Sequence, residues 1–104
     1  MPFAAYRLSF AASSGLDVRH GLSLLQRFYF DIALSSSPSA LPSLLAFTSP
    51  DHVTFGSDWP YAPEVAIAGM TGMYESYELH PAARSQIDHG TAATLFPRLA
   101  TAVT

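Results

Sequence analysis

The run His52-Val53-Thr54-Phe55-Gly56-Ser57-Asp58-Trp59-Pro60 sets a carboxylate after a short apolar strand-like stretch, between a glycine and a rigid aromatic-proline pair. A carboxylate at such a strand mouth can hold a metal cation or take and give a proton. Strand alternation points Val53 and Phe55 to one face and Thr54, Gly56 and Asp58 to the other, so small groups flank the acid and leave room for a metal or a substrate. The plain alternative for Asp58 is a cap on the segment after Pro63, but a solvated cap needs no such stiff surround. Trp59 and Tyr61 stand beside it as pocket walls or as packing groups. Asp31, in Phe28-Tyr29-Phe30-Asp31-Ile32-Ala33, is a second acid near a strand end. It either shares a cavity with Asp58 or is a hydrogen-bonded acid that closes its strand or caps the serines beyond.

Other chemistries find little support. The four histidines include no His-X-His and no His-Glu-X-X-His spacing. His52 lies at the far end of the Asp58 strand, roughly 20 Å away at about 3.3 Å per residue, and cannot share a metal with it. His20, His80 and His89 read as surface or packing residues. Ser57 lacks a Gly-X-Ser-X-Gly elbow, which argues against serine hydrolysis. The chain has no cysteine, which removes disulfides and thiolate metal sites and is in keeping with a cytoplasmic protein. Five Lys and Arg residues, scattered singly, and a net charge of −3 give no footprint for nucleic acid. Arg7 interrupts the apolar N-terminus that a signal peptide would need. Prolines and serines between Ile32 and Pro50 argue against a membrane span.

The elements that must position Asp58 are short. With 104 residues, 49% of them apolar, the chain fits one small domain, and eight prolines divide it into brief segments. Apolar spacing predicts helices over 3–12 and from Leu22 to Phe28. Phe28 to Ala33 reads as a buried strand. Ser37 or Ser39 is expected to cap a helix through Leu41, Leu44, Leu45 and Phe47, with Pro38 or Pro42 in its first turn. Val53 to Gly56 forms the next strand, so strand, helix and strand make a right-handed parallel crossover. That brings Asp31 and Asp58 to the same, carboxyl, end of the sheet, where α/β proteins bind ligands. After Pro63 a helix should place Val65, Ile67, Ala68 and Met70 inside. His80-Pro81 starts a last one from Ala82, with Ala92, Ala93, Leu95 and Phe96 as its apolar face before Pro97. The tail after Leu99 is expected to fray.

Phe55-Gly56-Ser57-Asp58-Trp59-Pro60-Tyr61-Ala62-Pro63-Glu64 resembles the last barrel strand of the amidohydrolase-related family that includes aminocarboxymuconate-semialdehyde decarboxylase. Arg27 to Ser35 is similar to that family's seventh strand, Ser37 to Leu45 to the helix after it, Leu95 to Leu99 to its closing helix, and Met1 to Leu8 to the helix after the sixth strand. The resemblance implies that residues 1–104 are the C-terminal portion of a (β/α)8 TIM barrel, an α/β fold, here two parallel strands with flanking helices. It implies a divalent metal, zinc, with Asp58 as metal ligand and proton carrier, Trp59 and Tyr61 on the substrate side, and hydrolysis or decarboxylation of a small cyclic or carboxylate substrate. Gly90-Thr91-Ala92 departs from the family's Gly-Asn-Ala, which puts the asparagine's hydrogen bond in doubt.

A barrel of this kind needs about 250 residues. The resemblance places the first-strand His-X-His and the later-strand histidines outside this chain, and one carboxylate does not hold a catalytic zinc. Activity by the chain alone is therefore not expected. Two other readings stand beside the leading one. In the first, a non-catalytic remnant or interaction module associates with itself or with an N-terminal barrel fragment through unpaired sheet edges. In the second, a stand-alone enzyme uses Asp31 and Asp58 as an acid and base pair.

Overall fold

A computed structural model describes residues 4–12 and 17–100. Helix α1 (Ala5–Ala12) packs against α2 (Val18–Leu25), and the chain enters strand β1 (Phe30–Asp31). Helix α3 (Leu41–Phe47) and a 3-10 turn, Pro50–His52, lead to strand β2 (Val53–Thr54). Helix α4 (Glu64–Ser76) follows, then α5 (Pro81–Ser85), a π-helical turn over Gln86–Gly90, α6 (Thr91–Leu95) and a 3-10 turn at Pro97–Leu99. The two strands pair in parallel with Phe30 opposite Val53 and Asp31 opposite Thr54. The strand-helix-strand crossover expected from the sequence is therefore present, as is the mixed helix and parallel-strand architecture.

Both strands are shorter than their apolar runs. Ahead of β1, the Phe28 carbonyl lies 3.0 Å from His52 Nδ1 and the Tyr29 ring stacks on His52 at 4.5 Å, so these residues are held from the side. Beyond β1, the Ala33 N–H turns back to the Asp31 carboxylate at 2.8 Å. After β2, the Phe55 N–H donates to the Ile87 carbonyl at 3.1 Å instead of extending the ladder. Helix α2 starts earlier than the expected Leu22, because Asp17 accepts the His20 N–H at 3.0 Å as its N-cap. Neither Ser37 nor Ser39 caps α3. Their hydroxyls pair with each other at 3.1 Å and the Ser37 carbonyl receives the Ala40 and Leu41 N–H groups, while Pro42 falls in the first turn as expected.

Ile32, Leu41, Leu44, Val53, Tyr74 and Ile87 form the core, with Phe30, Leu45, Tyr77 and Leu79 packed on it. This corrects the inside face proposed for α4. Val65 is 82% exposed and Ala68 is exposed, Ile67 and Met70 are half-buried, and Tyr74, a turn further on, is the buried contact. Helix α4 thus meets the core near its C-terminal end. The last helix is corrected too: Ile87 and Thr91 are wholly buried, whereas Phe96 is 56% exposed. The expected fraying beyond Leu99 concerns 101–104, which lie outside the described residues.

Thr91, where the resemblance implies an asparagine, is buried and hydrogen-bonded on both sides. Its hydroxyl donates to the Pro50 carbonyl at 2.8 Å and accepts from Gln86 Nε2 at 3.1 Å. Thr91→Val keeps the shape and strips both bonds inside the core. It should cost about 1–3 kcal/mol, read as a lower urea midpoint with an unchanged slope.

Candidate functional site

Asp58 sits four residues past the end of β2, on the carboxyl side of the sheet. Strand alternation holds as far as Gly56: Val53 is buried, the Phe55 ring lies 5.4 Å from Tyr74, and Thr54 and Gly56 both face Asp31. From Ser57 onward the pleat no longer sets direction. Asp58 adopts a left-handed backbone, φ 64°, and the Trp59–Pro60 peptide is cis. The Asp58 carbonyl receives the Tyr61 and Ala62 N–H groups, each at 2.9 Å, and Ser57 Oγ accepts the Trp59 N–H at 3.3 Å. Ser57 thereby takes part in the turn. Asx and glycine residues tolerate a positive φ far better than others, which suits an aspartate to this place.

The Asp58 side chain is exposed, Trp59 is 69% exposed and Tyr61 88% exposed. Within the described chain the three stand on one corner with solvent around them. Asp31 lies at the end of the neighbouring strand. Its carboxylate accepts the Ala33 N–H at 2.8 Å and the Thr54 hydroxyl at 3.2 Å, the hydrogen-bonded, strand-closing role foreseen as its plain alternative. The space expected beside Gly56 is not free, because the Asp31 carboxylate occupies it.

Three of the histidines make local contacts. His80 Nδ1 accepts the Ala82 N–H at 3.1 Å and caps α5, His89 Nε2 lies 3.2 Å from Ser85 Oγ, and His52 is held at the amino end of β2. Among the described residues, no group of three or more His, Asp or Glu side chains converges to hold a metal. A catalytic zinc takes three protein ligands and an open position, so these residues do not by themselves fit that ion. Among the described residues, no helix is long and apolar enough to cross a membrane.

A second polar cluster went unseen in the sequence. Arg84 donates to the carbonyls of Tyr74, at 3.2 Å, and Tyr77, and lies 4.8 Å from the centre of the Tyr74 ring. The Tyr74 hydroxyl donates to Asp88. Tyr74, Arg84 and Asp88, with Phe55, Thr71 and Glu75, line a concavity of about 450 Å3. Arg84 fastens the end of α4 to α5, since its donors serve backbone carbonyls at the helix terminus. No local spacing links residue 74 to 84 and 88, so the cluster becomes visible only with the tertiary contact.

Burial, reinforced by Asp88, pushes the Tyr74 hydroxyl above its ordinary value of 10.0. Between that value and the higher folded one, the unfolded state has lost its proton while the folded state keeps it. The stabilising contribution is therefore complete below about pH 10 and is lost as pH rises toward the folded value. Denaturation midpoints should fall above about pH 10 more steeply in the parent than in Tyr74→Phe.

A family model described as Amidohydrolase matches residues 4–98. The chain belongs to the amidohydrolase family. It is 46% identical over 85 residues to 6-methylsalicylic acid decarboxylase of Penicillium expansum, a match covering 82% of this chain and 26% of that protein. It is 39% identical over 80 residues to Decarboxylase macB of Penicillium terrestre, covering 74% and 24%, and 32% identical over 99 residues to Decarboxylase yanB of Aspergillus niger, covering 91% and 27%. The chain thus spans about a quarter of the length of the curated relatives it matches, and these relatives are decarboxylases. No solved structure gives a significant match.

Proposed function

We propose that this chain is the C-terminal portion of a (β/α)8 barrel, from the helix after the sixth strand onward, in a metal-dependent decarboxylase of small cyclic carboxylic acids. The observation that carries it is the family match across 4–98 with an acid, Asp58, just past the carboxyl end of the second parallel strand. Barrels and open α/β sheets place ligands at that end. The relatives' names favour decarboxylation over hydrolysis and point to a hydroxybenzoic acid as substrate class.

On this reading Asp58 is one ligand of a metal, taken to be zinc, whose other ligands come from outside the chain. Its carboxylate would also pass on the proton that the reaction consumes. In a non-oxidative decarboxylation the bond from ring carbon to carboxylate breaks, carbon dioxide leaves, and a proton takes its place on the carbon. A carboxyl at the strand mouth is a suitable donor. Trp59 and Tyr61 form the aromatic side of the substrate pocket, covered in the complete barrel by other strand loops. The test is to supply the 104 residues alone with zinc and measure bound metal and turnover. Neither stoichiometric zinc nor decarboxylation is expected, and finding both would refute the need for outside ligands.

A second reading, a non-catalytic module, draws on the exposed Trp59, Tyr61 and Val65 and on a sheet of only two strands among the described residues. It requires self-association or capture of an N-terminal barrel fragment through the sheet edges. Light scattering that reports a stable monomer would count against it.

A further inference from the structure

We infer that Asp31 is a positioning residue for the Asp58 corner, acting through Gly56, a role that gains catalytic meaning from the decarboxylase reading but rests on geometry independent of it. The carboxylate of Asp31 lies across both strand ends. One oxygen accepts the Ala33 N–H at 2.8 Å and the other the Thr54 hydroxyl at 3.2 Å, so the group is held from its own strand and from β2. It then rests on the backbone of Gly56. A Cβ at residue 56 would fall 2.3 and 2.4 Å from the two carboxylate oxygens and 2.7 Å from the carbon between them. These distances are far inside van der Waals contact, and the three nearest atoms all belong to that one side chain.

Gly56 is therefore a glycine because Asp31 occupies the space. The consequence runs two residues forward. Gly56 is the last residue whose position the pleat and this contact fix before the backbone turns to the left-handed Asp58. With the carboxylate seated on Gly56 and bonded to Thr54, the end of β2 has one place to sit relative to β1. Asp58 and Trp59 leave from that place. An acid pair in which Asp31 itself exchanges protons with substrate is not needed to explain its position, since both oxygens are already engaged.

Trp59 is the sole tryptophan of the 104 residues and adjoins Asp58, so it reports the corner directly. The test uses the folded protein that carries this chain, labelled with 5-fluorotryptophan, with the Trp59 fluorine resonance identified by its loss in Trp59→Phe. Asp31→Ala should move that resonance, whereas Asp51→Ala, an acid before β2, should not. Gly56→Ala should move it strongly and lower the unfolding midpoint in the parent, yet produce little further change in the Asp31→Ala background, where the space has been vacated. If Gly56→Ala alone does not fold, the comparison of Asp31→Ala with the double variant still decides the matter. A Trp59 resonance unmoved by Asp31→Ala, or Gly56→Ala equally damaging in both backgrounds, would overturn the inference. Where turnover of a hydroxybenzoate is measurable, Asp31→Ala should lower kcat by about 10²-fold with little change in KM. Absence of turnover in the parent would refute the decarboxylase reading and leave the resonance result to judge Asp31.

Discussion

If the proposed function holds, Asp58→Asn in the complete barrel should lower decarboxylation about a thousandfold while leaving the thermal midpoint close to that of the parent. Asparagine is the informative replacement. Asp58 holds φ 64°, a region that asparagine tolerates nearly as well as aspartate and alanine does not. The corner's own hydrogen bonds come from the Asp58 carbonyl and from Ser57 Oγ, neither of which the substitution touches. Asn therefore removes the ionisable oxygen and its negative charge but keeps the turn. Product formation followed alongside a melt separates the two. Full activity in a folded Asp58→Asn protein would remove this residue from the chemistry, and loss of fold would show that the carboxylate supports the corner in a way the hydrogen bonds do not reveal.

Ile87→Ala should cost about 2–5 kcal/mol, a large share of the 5–15 kcal/mol typical of a folded domain. Ile87 has no exposed surface, and its carbonyl receives the Phe55 N–H just where β2 gives way to the corner. A cavity there loosens both the packing under β2 and the last backbone tie before Gly56. The contrasting substitution is Val65→Ala, at a residue 82% exposed, which should change the stability of the chain by less than about 0.5 kcal/mol. Urea denaturation of both variants checks the pair. Equal losses would mean that Val65 is covered in the folded protein, as it would be beneath another part of a barrel or another copy.

That pair also marks how far the sequence could be read. The crossover from Phe30 to Val53 and the start of a helix at His80-Pro81 were legible, because alternation and proline placement are local signals. The buried face of α4 was not. Val65, Ile67, Ala68 and Met70 are apolar and suitably spaced, but periodicity says only that a face wants cover, and within this chain Tyr74 is the residue that receives it. Ile87 was missed because the π turn over Gln86–Gly90 breaks the 3.6-residue rhythm on which the reading of the last helix relied. At the site, Gly56 was seen as open space beside an acid. Its occupation by Asp31 depends on strand register, Asp31 opposite Thr54, which short apolar runs do not specify. The family was legible from the motif around Asp58, and the match over 4–98 bears it out. The preference for decarboxylation over hydrolysis rests on the relatives' names alone, since nothing in the corner itself distinguishes the two.

Whether Asp58 belongs to an active site completed by residues outside this chain is decided by a chimera. The stretch of the Penicillium expansum 6-methylsalicylic acid decarboxylase that matches this chain, 46% identical over 85 residues, is replaced by the corresponding residues of this chain, and carbon dioxide release from 6-methylsalicylic acid is measured for the chimera and for the chain alone. Turnover by the chimera and none by the chain alone is the expected result. A folded chimera without turnover, or turnover by the 104 residues unaided, would contradict it.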